Sequence, residues 1–370
     1  MKITINRNIL VEALKFSNNV IGNNITNPIL NSILFEANNK ELKVISSNGL
    51  ISSSYTIKEN IDIEEEGKIL VKCKLLLGVI SKIKDENIEI SEMDSSLQIK
   101  TNNYVSNVNT LDPESYPQLE FNSDDWSKIE INSDILSTAI KKVSHSALQQ
   151  VERINRLNGI FFDGEKEDGI LRIVATDSFK LSIFRAPYQN EKFKFLINTN
   201  IINLINSFLK SGENVIFKTK QKNVMIQTNN FVLSCNVIDS EYPNIDPVIE
   251  CKPETVLKVN RHALMDALDR VISFLISDKS SICNIKISNS KLSVNCRSLE
   301  LGSSKEDIDL LSFEGNQVEF AVNASFLLEH LKAFDNNEVC FKIEKELKPF
   351  ILYDENEDRF IQVLVPMRSL

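Results

Sequence analysis

Three histidines, six cysteines and one aspartate in a polar turn-like stretch are the residues of this chain whose types could do chemistry. His145, His262 and His330 could ligate a metal or carry a proton, but each stands alone in a helical context, without the near neighbours that coordination requires. Cys73, Cys235, Cys251, Cys283, Cys296 and Cys340 form no CxxC pair and sit in apolar or strand-like runs, which reads as buried free thiols. Asp177, in "ATDSFKLS", has no second carboxylate or base at a recognisable spacing, so a turn between two strands suits it better than catalysis. No GxSxG, GxxxxGK[ST] or GxGxxG run occurs, and 10 glycines supply little for phosphate-cradling loops. The sequence therefore predicts no catalytic residue, no metal and no cofactor.

What the residues do show is repetition. "ITINRNILVEAL" (3–14) returns as "IEINSDILSTAI" (129–140) and "LKVNRHALMDAL" (257–268), aligning Asn6 with Asn132 and Asn260, Leu10 with Leu136 and Leu264, and Ala13 with Ala139 and Ala267. The interval is far longer than the roughly 20–50 residues of solenoid units, so each copy can hold a core of its own. After each opening come two extended runs with alternating apolar residues and Asn, Gly, Asp or Ser between them, as in "NSILFEANNKELKVIS", "NGIFFDGEKEDGILRIVA" and "NIKISNSKLSVNCRS". A second helical pattern follows in "VKCKLLLGVISKI", "INTNIINLINSFL" and "VNASFLLEHLKAF". Closing stretches match too, "NNYVSNVNTLDPESYPQL" against "NNFVLSCNVIDSEYPNI". Three α+β domains are expected, 1–124, 125–250 and 251–370, each of mainly antiparallel sheet with two helices on one face.

At 42% hydrophobic and 25% charged, the 370 residues can bury sizeable cores. Neither a signal peptide nor an apolar run of about 18 residues is apparent, so a cytoplasmic protein without membrane contact is expected. The net charge of -9 is uneven: the helical stretches together are slightly positive and the remainder carries the acidic excess. One surface could thus face phosphate while the other stays soluble, although scattered solvated helix faces would give the same excess. A monomeric peptide-binding scaffold, and an enzyme of unrecognised mechanism centred on a carboxylate such as Asp177, remain alternatives at this level.

The threefold unit, "NPIL" (27–30), "LNGIFF" (157–162), "ATDSFKLS" (175–182), "IDSEYPNI" (238–245) and the terminal "VPMRSL" together resemble the bacterial DNA sliding clamp, the beta subunit of DNA polymerase III, over the whole chain and in the right order. The resemblance implies a head-to-tail homodimer closed into a ring, with helices lining a pore around duplex DNA and no catalysis of its own. It implies phosphate contacts from Lys15, Lys82, Lys141, Lys142, Lys210, Arg270 and Lys279 that ignore base sequence and permit sliding. The junction would bring the edge strand containing Val108, with Lys74 nearby, against Phe274 and the strand near Glu300 on the other copy. Clients implied by the family are the replicative polymerase alpha subunit, an ATP-driven clamp loader and other proteins that insert a short linear motif bearing Gln and apolar anchors. Their pocket would be walled by Leu157, Leu181, Pro243, Val248, Leu347, Val363, Val365, Pro366 and Met367, with Thr176, Lys180 and Arg368 at the rim.

The chain departs from the family pattern at several of these places. Asn23 and Asn24 occupy a loop that usually carries an arginine, and Ser106 stands where relatives often have a larger apolar residue. Ser178 and Phe179 replace the usual glycine and small or polar pair, Pro247 takes a usually basic position, and the arginines ahead of "LNG" are shifted.

Overall fold

Each opening stretch of the repeat folds as strand, asparagine, helix in the computed structural model, which describes residues 1–22, 27–38, 40–121, 125–149, 155–189, 192–275, 281–288, 290–344 and 348–367. The asparagine is repeated because it caps. Asn6 Oδ1 accepts the Asn8 N–H at 3.0 Å, Asn132 that of Asp134 at 2.9 Å and Asn260 that of Ala263 at 2.9 Å. Asn198 and Asn323 do the same for two of the second helices, through Asn200 at 2.9 Å and Phe326 at 3.1 Å. Each bond satisfies a donor that the first helical turn would leave orphaned. Among the helices whose caps are described, Cys73–Ile80, capped by Lys72, and the single turn Asp246–Ile249, capped by Ile245, have no such side-chain bond.

The helices are α1 (Arg7–Ile21), α2 (Cys73–Ile80), α3 (Ser133–Val143), α4 (Thr199–Asn206), the single turn α5 (Asp246–Ile249), α6 (Arg261–Ser273) and α7 (Ala324–Lys332). Six match the expected helical patterns; α5 lies in the "EYPNIDPV" stretch, where none was expected. The repeated leucine and alanine columns are core columns. Leu10, Leu136 and Leu264 are at most 1% exposed and Ala13, Ala139 and Ala267 are fully buried, the small side chains letting the helix approach the sheet beneath it.

Two compact units result, Met1–Asp134 with Leu204–Val237, and Ile135–Asn203 with Ile238–Leu370. The first holds a 13-stranded and the second a 12-stranded sheet. Every strand pairing among the described residues is antiparallel, as expected. The second repeat is divided because its two hairpin systems complete different sheets: Phe231–Asn236 pairs with Ile51–Ile57 in the first unit, and Lys180–Pro187 pairs with Glu357–Leu364 in the second. Of the six thiols, five are buried and Cys251 is half-buried. Burial pushes those of Cys73, Cys235 and Cys283 up to about 12, leaving no thiolate for chemistry near neutral pH. No helix among the described residues is long and apolar enough to cross a membrane.

Candidate functional site

In the second unit, strand alternation lays three rows of side chains on one face of the sheet. Register places Thr176, Leu181, Val363 and Ile351 in one row and Phe161, Val174, Ile183, Ile361 and Tyr353 in the next. The third is charged: Asp163, Arg172 and Arg185. Onto the apolar rows folds the segment that carries α5. Tyr242 stacks on Phe161 with ring centroids 4.7 Å apart, and Ile245 joins a buried cluster with Val174, Leu181, Ile183, Ile351 and Val363. The buried floor is therefore supplied by Leu181 and Val363, which are 5% and 2% exposed. Leu157, Pro243, Val365, Pro366 and Met367 are half-buried, and Val248 is exposed. Leu347 and Arg368, expected in the same site, lie outside the described residues, as do Asn23, Asn24 and Lys279.

A four-residue turn closes one side. Asp177 Oδ1 accepts the N–H groups of Phe179 at 2.9 Å and Lys180 at 2.7 Å, which is the turn-forming role expected of it. The Thr176 hydroxyl donates to the Lys180 carbonyl at 2.6 Å and accepts the Ser178 N–H at 3.1 Å, so it braces the turn. Phe179, 51% exposed, accepts the Val365 N–H at 3.0 Å through its carbonyl and ties the turn to the C-terminal segment. Ser178 has φ +79°, a left-handed conformation in which a Cβ is strained. Ser178→Gly should raise stability by about 0.5–1 kcal/mol, read as a later thermal transition. An unchanged or earlier transition would show that the serine is unstrained.

Lys180 is not at this rim. Its ammonium donates to Glu329 on α7 at 2.6 Å and to the His145 carbonyl at 2.8 Å, on the face opposite Leu181, because neighbours along a strand point to opposite sides. Beneath it lies a polar core invisible in the sequence. His145 Nε2 approaches His330 Nδ1 at 3.2 Å and Gln362 Oε1 at 3.0 Å, while Ser182 and Ser146 share a 2.7 Å hydroxyl contact. Burial pushes His145 down to about 4, so the pair is neutral and structural at ordinary pH.

The basic residues expected on a pore surface separate in the same way. Lys15, Lys82 and Lys141 are exposed. Lys210 is also exposed, with its ammonium 3.9 Å from Glu12, and Arg270 forks onto Glu306 at 2.8 and 3.0 Å. Lys142 is the exception: 4% exposed, it pairs with Glu357 at 2.7 Å and Asp335 at 3.0 Å and lies over the Phe360 ring. It is a buried strut and has no charge to offer a phosphate.

Among the described residues, and apart from the strands that end each sheet, two strands meet their second neighbour over only part of their length. Val105–Leu111 pairs fully with Ser96–Lys100 on one side but meets Gly67–Lys72 only at Thr110 and Leu111 on the other. The Tyr104 carbonyl and Thr110 N–H point to the paired side, so Val105 and Asn107 aim their backbone groups outward, where no strand among the described residues meets them. Gly302–Gly315 behaves alike: paired with Lys291–Ser298 as far as Asp309, it meets Thr255–Asn260 only from Leu310 onward, leaving Ser303, Lys305 and Asp307 facing outward. Val108 is 5% exposed and points into its own sheet, while Lys74 and Glu300 are exposed and Phe274 is half-buried at the end of α6. Beside the first edge is a hollow of about 810 Å³ lined by Lys74, Leu75, Val79, Ile83 and Tyr104.

The first unit repeats the geometry of the apolar face with different residues. Ser47 faces Ser52, and Ser52 faces Ser234, as Thr176 faces Leu181 and Leu181 faces Val363. Serine thus stands where the second unit has its buried apolar floor, and Ser54 stands in place of Ile183. A face so paved offers little transfer free energy to an apolar anchor.

Comparison with known proteins covers nearly the whole chain. The DNA polymerase III beta subunit N-terminal domain matches residues 1–120, its central domain 130–244 and its C-terminal domain 248–368. The chain is 32% identical over 381 residues to the beta sliding clamp of Mycoplasma pneumoniae, spanning 100% of both, and equally to that of Mycoplasma genitalium. Among solved structures, the beta subunit from Streptococcus pyogenes DNA polymerase superposes with a TM-score of 0.93 at 22% identity, and a Pseudomonas aeruginosa sliding clamp bound to griselimycin with 0.91 at 20%, each covering 100% of both chains; at these identities they show the fold. With all three domains matched in order and full-length relatives above 30% identity, the chain belongs to the DNA polymerase III beta subunit family, the beta sliding clamps.

Proposed function

We propose that two copies of this chain close head to tail into a ring that encircles duplex DNA in the cytoplasm, tethering the polymerase alpha subunit and other clients, and that a clamp loader opens it. The domains are 1–124, 125–250 and 251–370. The observation that carries this reading is the pair of unpaired edges. Within the chain, the closing strand of one repeat pairs with the hairpin of a neighbour twice, at Ser234 with Ser52 and at Val363 with Leu181. Asn107 holds the position of Ser234 in the first repeat, and Ser303 that of Ser52 and Leu181 in the third. A third junction of the same kind needs a second copy, with Ser303 opposite the partner's Asn107 and Ser304 opposite the partner's Ser106. Phe274 would enter the hollow beside Lys74, and Lys74 would approach the partner's Glu300. Lys15, Lys82, Lys141 and Lys210 supply loose phosphate contacts, and a ring held by topology needs no tighter ones. The apolar face of the second unit takes client peptides, with Met367, Val248 and Phe179 at its rim over the floor of Leu181 and Val363.

Scattering from the purified protein should give twice the 42.0 kDa chain mass and the distance distribution of a hollow annulus. The register has its own test. Ser304 and Ser106 would form a non-hydrogen-bonded pair with Cα atoms about 4.5 Å apart, within reach of a disulfide. A chain carrying Ser304→Cys and Ser106→Cys should therefore cross-link to dimers under mild oxidation, whereas Ser303→Cys with Ser106→Cys should not. The reverse result would place the junction in another register, and a particle of single-chain mass would favour the monomeric scaffold.

A further inference from the structure

Arg172 hydrogen-bonds two carboxylates that belong to different parts of the second unit, with Glu167 farther off at 3.8 Å. Nη2 donates to Asp163 Oδ2 at 2.7 Å and Nη1 to Asp246 Oδ1 at 3.0 Å. Asp163 belongs to the sheet: it is 6% exposed and also accepts the N–H groups of Glu165 at 3.1 Å and Lys166 at 3.2 Å. Asp246 opens α5, the turn that carries Val248, and the Glu250 N–H closes on its carbonyl at 3.1 Å. We infer that Arg172 is a positioning residue, a fixed charge on the sheet that holds Asp246 and thereby sets Val248 at the wall of the peptide site.

Three features support this reading. Arg172 sits on the same face as the apolar rows, two residues from Val174, so its reach to α5 fixes the height of the segment above them. Asp246 also meets Lys166 at 2.6 Å, but Lys166 is 53% exposed and its pair is screened by water, whereas the Arg172 side chain is 6% exposed. Lys166 and Arg172 together hold the Asp246 carboxyl below the usual range, so it stays ionised at ordinary pH. Because Asp163 keeps Arg172 in place without help from α5, losing Asp246 should release the turn and leave the sheet intact.

The inference rests on the peptide-site assignment, so its test must separate the two. Binding of a short synthetic peptide bearing Gln and apolar anchors to the full chain, measured by calorimetry, is the readout. Asp246→Asn should raise Kd about tenfold with little change in the thermal transition, Lys166→Ala should have a smaller effect, and Asp246→Glu should restore part of the loss. In a Val248→Ala background Asp246→Asn should cost almost nothing, because the residue it positions is gone. A full tenfold cost in that background, or no cost in the wild-type background while Met367→Ala still weakens binding, overturns the inference and leaves the pocket standing. If neither Asp246→Asn nor Met367→Ala alters Kd, the pocket assignment fails and takes the inference with it.

Discussion

Asn107→Pro should halve the native mass of the particle while leaving each chain folded. The N–H of Asn107 points away from the Ser96–Lys100 strand, since the alternate residues Tyr104 and Thr110 make the bonds to that side. Proline at this position removes a donor only from the outward edge, and edge positions tolerate it in the folded chain. Across the proposed junction the ring meets an unpaired carbonyl and clashes, costing about 3 kcal/mol at each of two junctions, or roughly 10⁴-fold in dimerisation. Ser106→Pro is the control. Its N–H faces the neighbouring strand, so that variant should lose thermal stability as well. A sedimentation experiment showing Asn107→Pro still at double mass would move the junction away from this edge.

Met367→Ala should weaken binding of a short client peptide bearing Gln and apolar anchors about 30- to 100-fold without changing the native mass. The backbone of this segment is held independently of the side chain, by the Met367 N–H to the Ala321 carbonyl at 2.7 Å and the Val365 N–H to that of Phe179 at 3.0 Å. Truncation therefore removes an apolar contact without releasing the chain. Methionine suits a site that receives varied apolar anchors, being unbranched and polarisable, and losing its buried atoms costs about 2–3 kcal/mol. Wild-type affinity in the variant would mean that the ligand sits elsewhere. The serine-paved counterpart in the first unit makes the complementary point: the geometry recurs there, but Ser52, Ser54 and Ser234 provide no floor for such an anchor.

Features that depend on short stretches were legible in the residues themselves. Asparagine caps, the leucine and alanine core columns, the hairpins, the Asp177 turn and the unreactive thiols each follow from neighbours within a few positions, where local hydrogen bonding and periodicity act. Repetition then extended those local signals to three domains. What only the tertiary structure decided involves partners far apart along the chain. Lys142 reads as an ordinary helix-face lysine until Glu357, 215 residues on, takes its charge. Lys180 reads as a rim residue until the alternation of its strand turns it toward Glu329, 149 residues away. His145 and His330 look isolated in sequence and meet at 3.2 Å across 185 residues. The division of the second repeat between two sheets, the unpaired edges, and the hold of Arg172 on Asp246 have the same origin. Charge and burial are properties of the neighbours that packing supplies, and residue order alone does not say which neighbours those are.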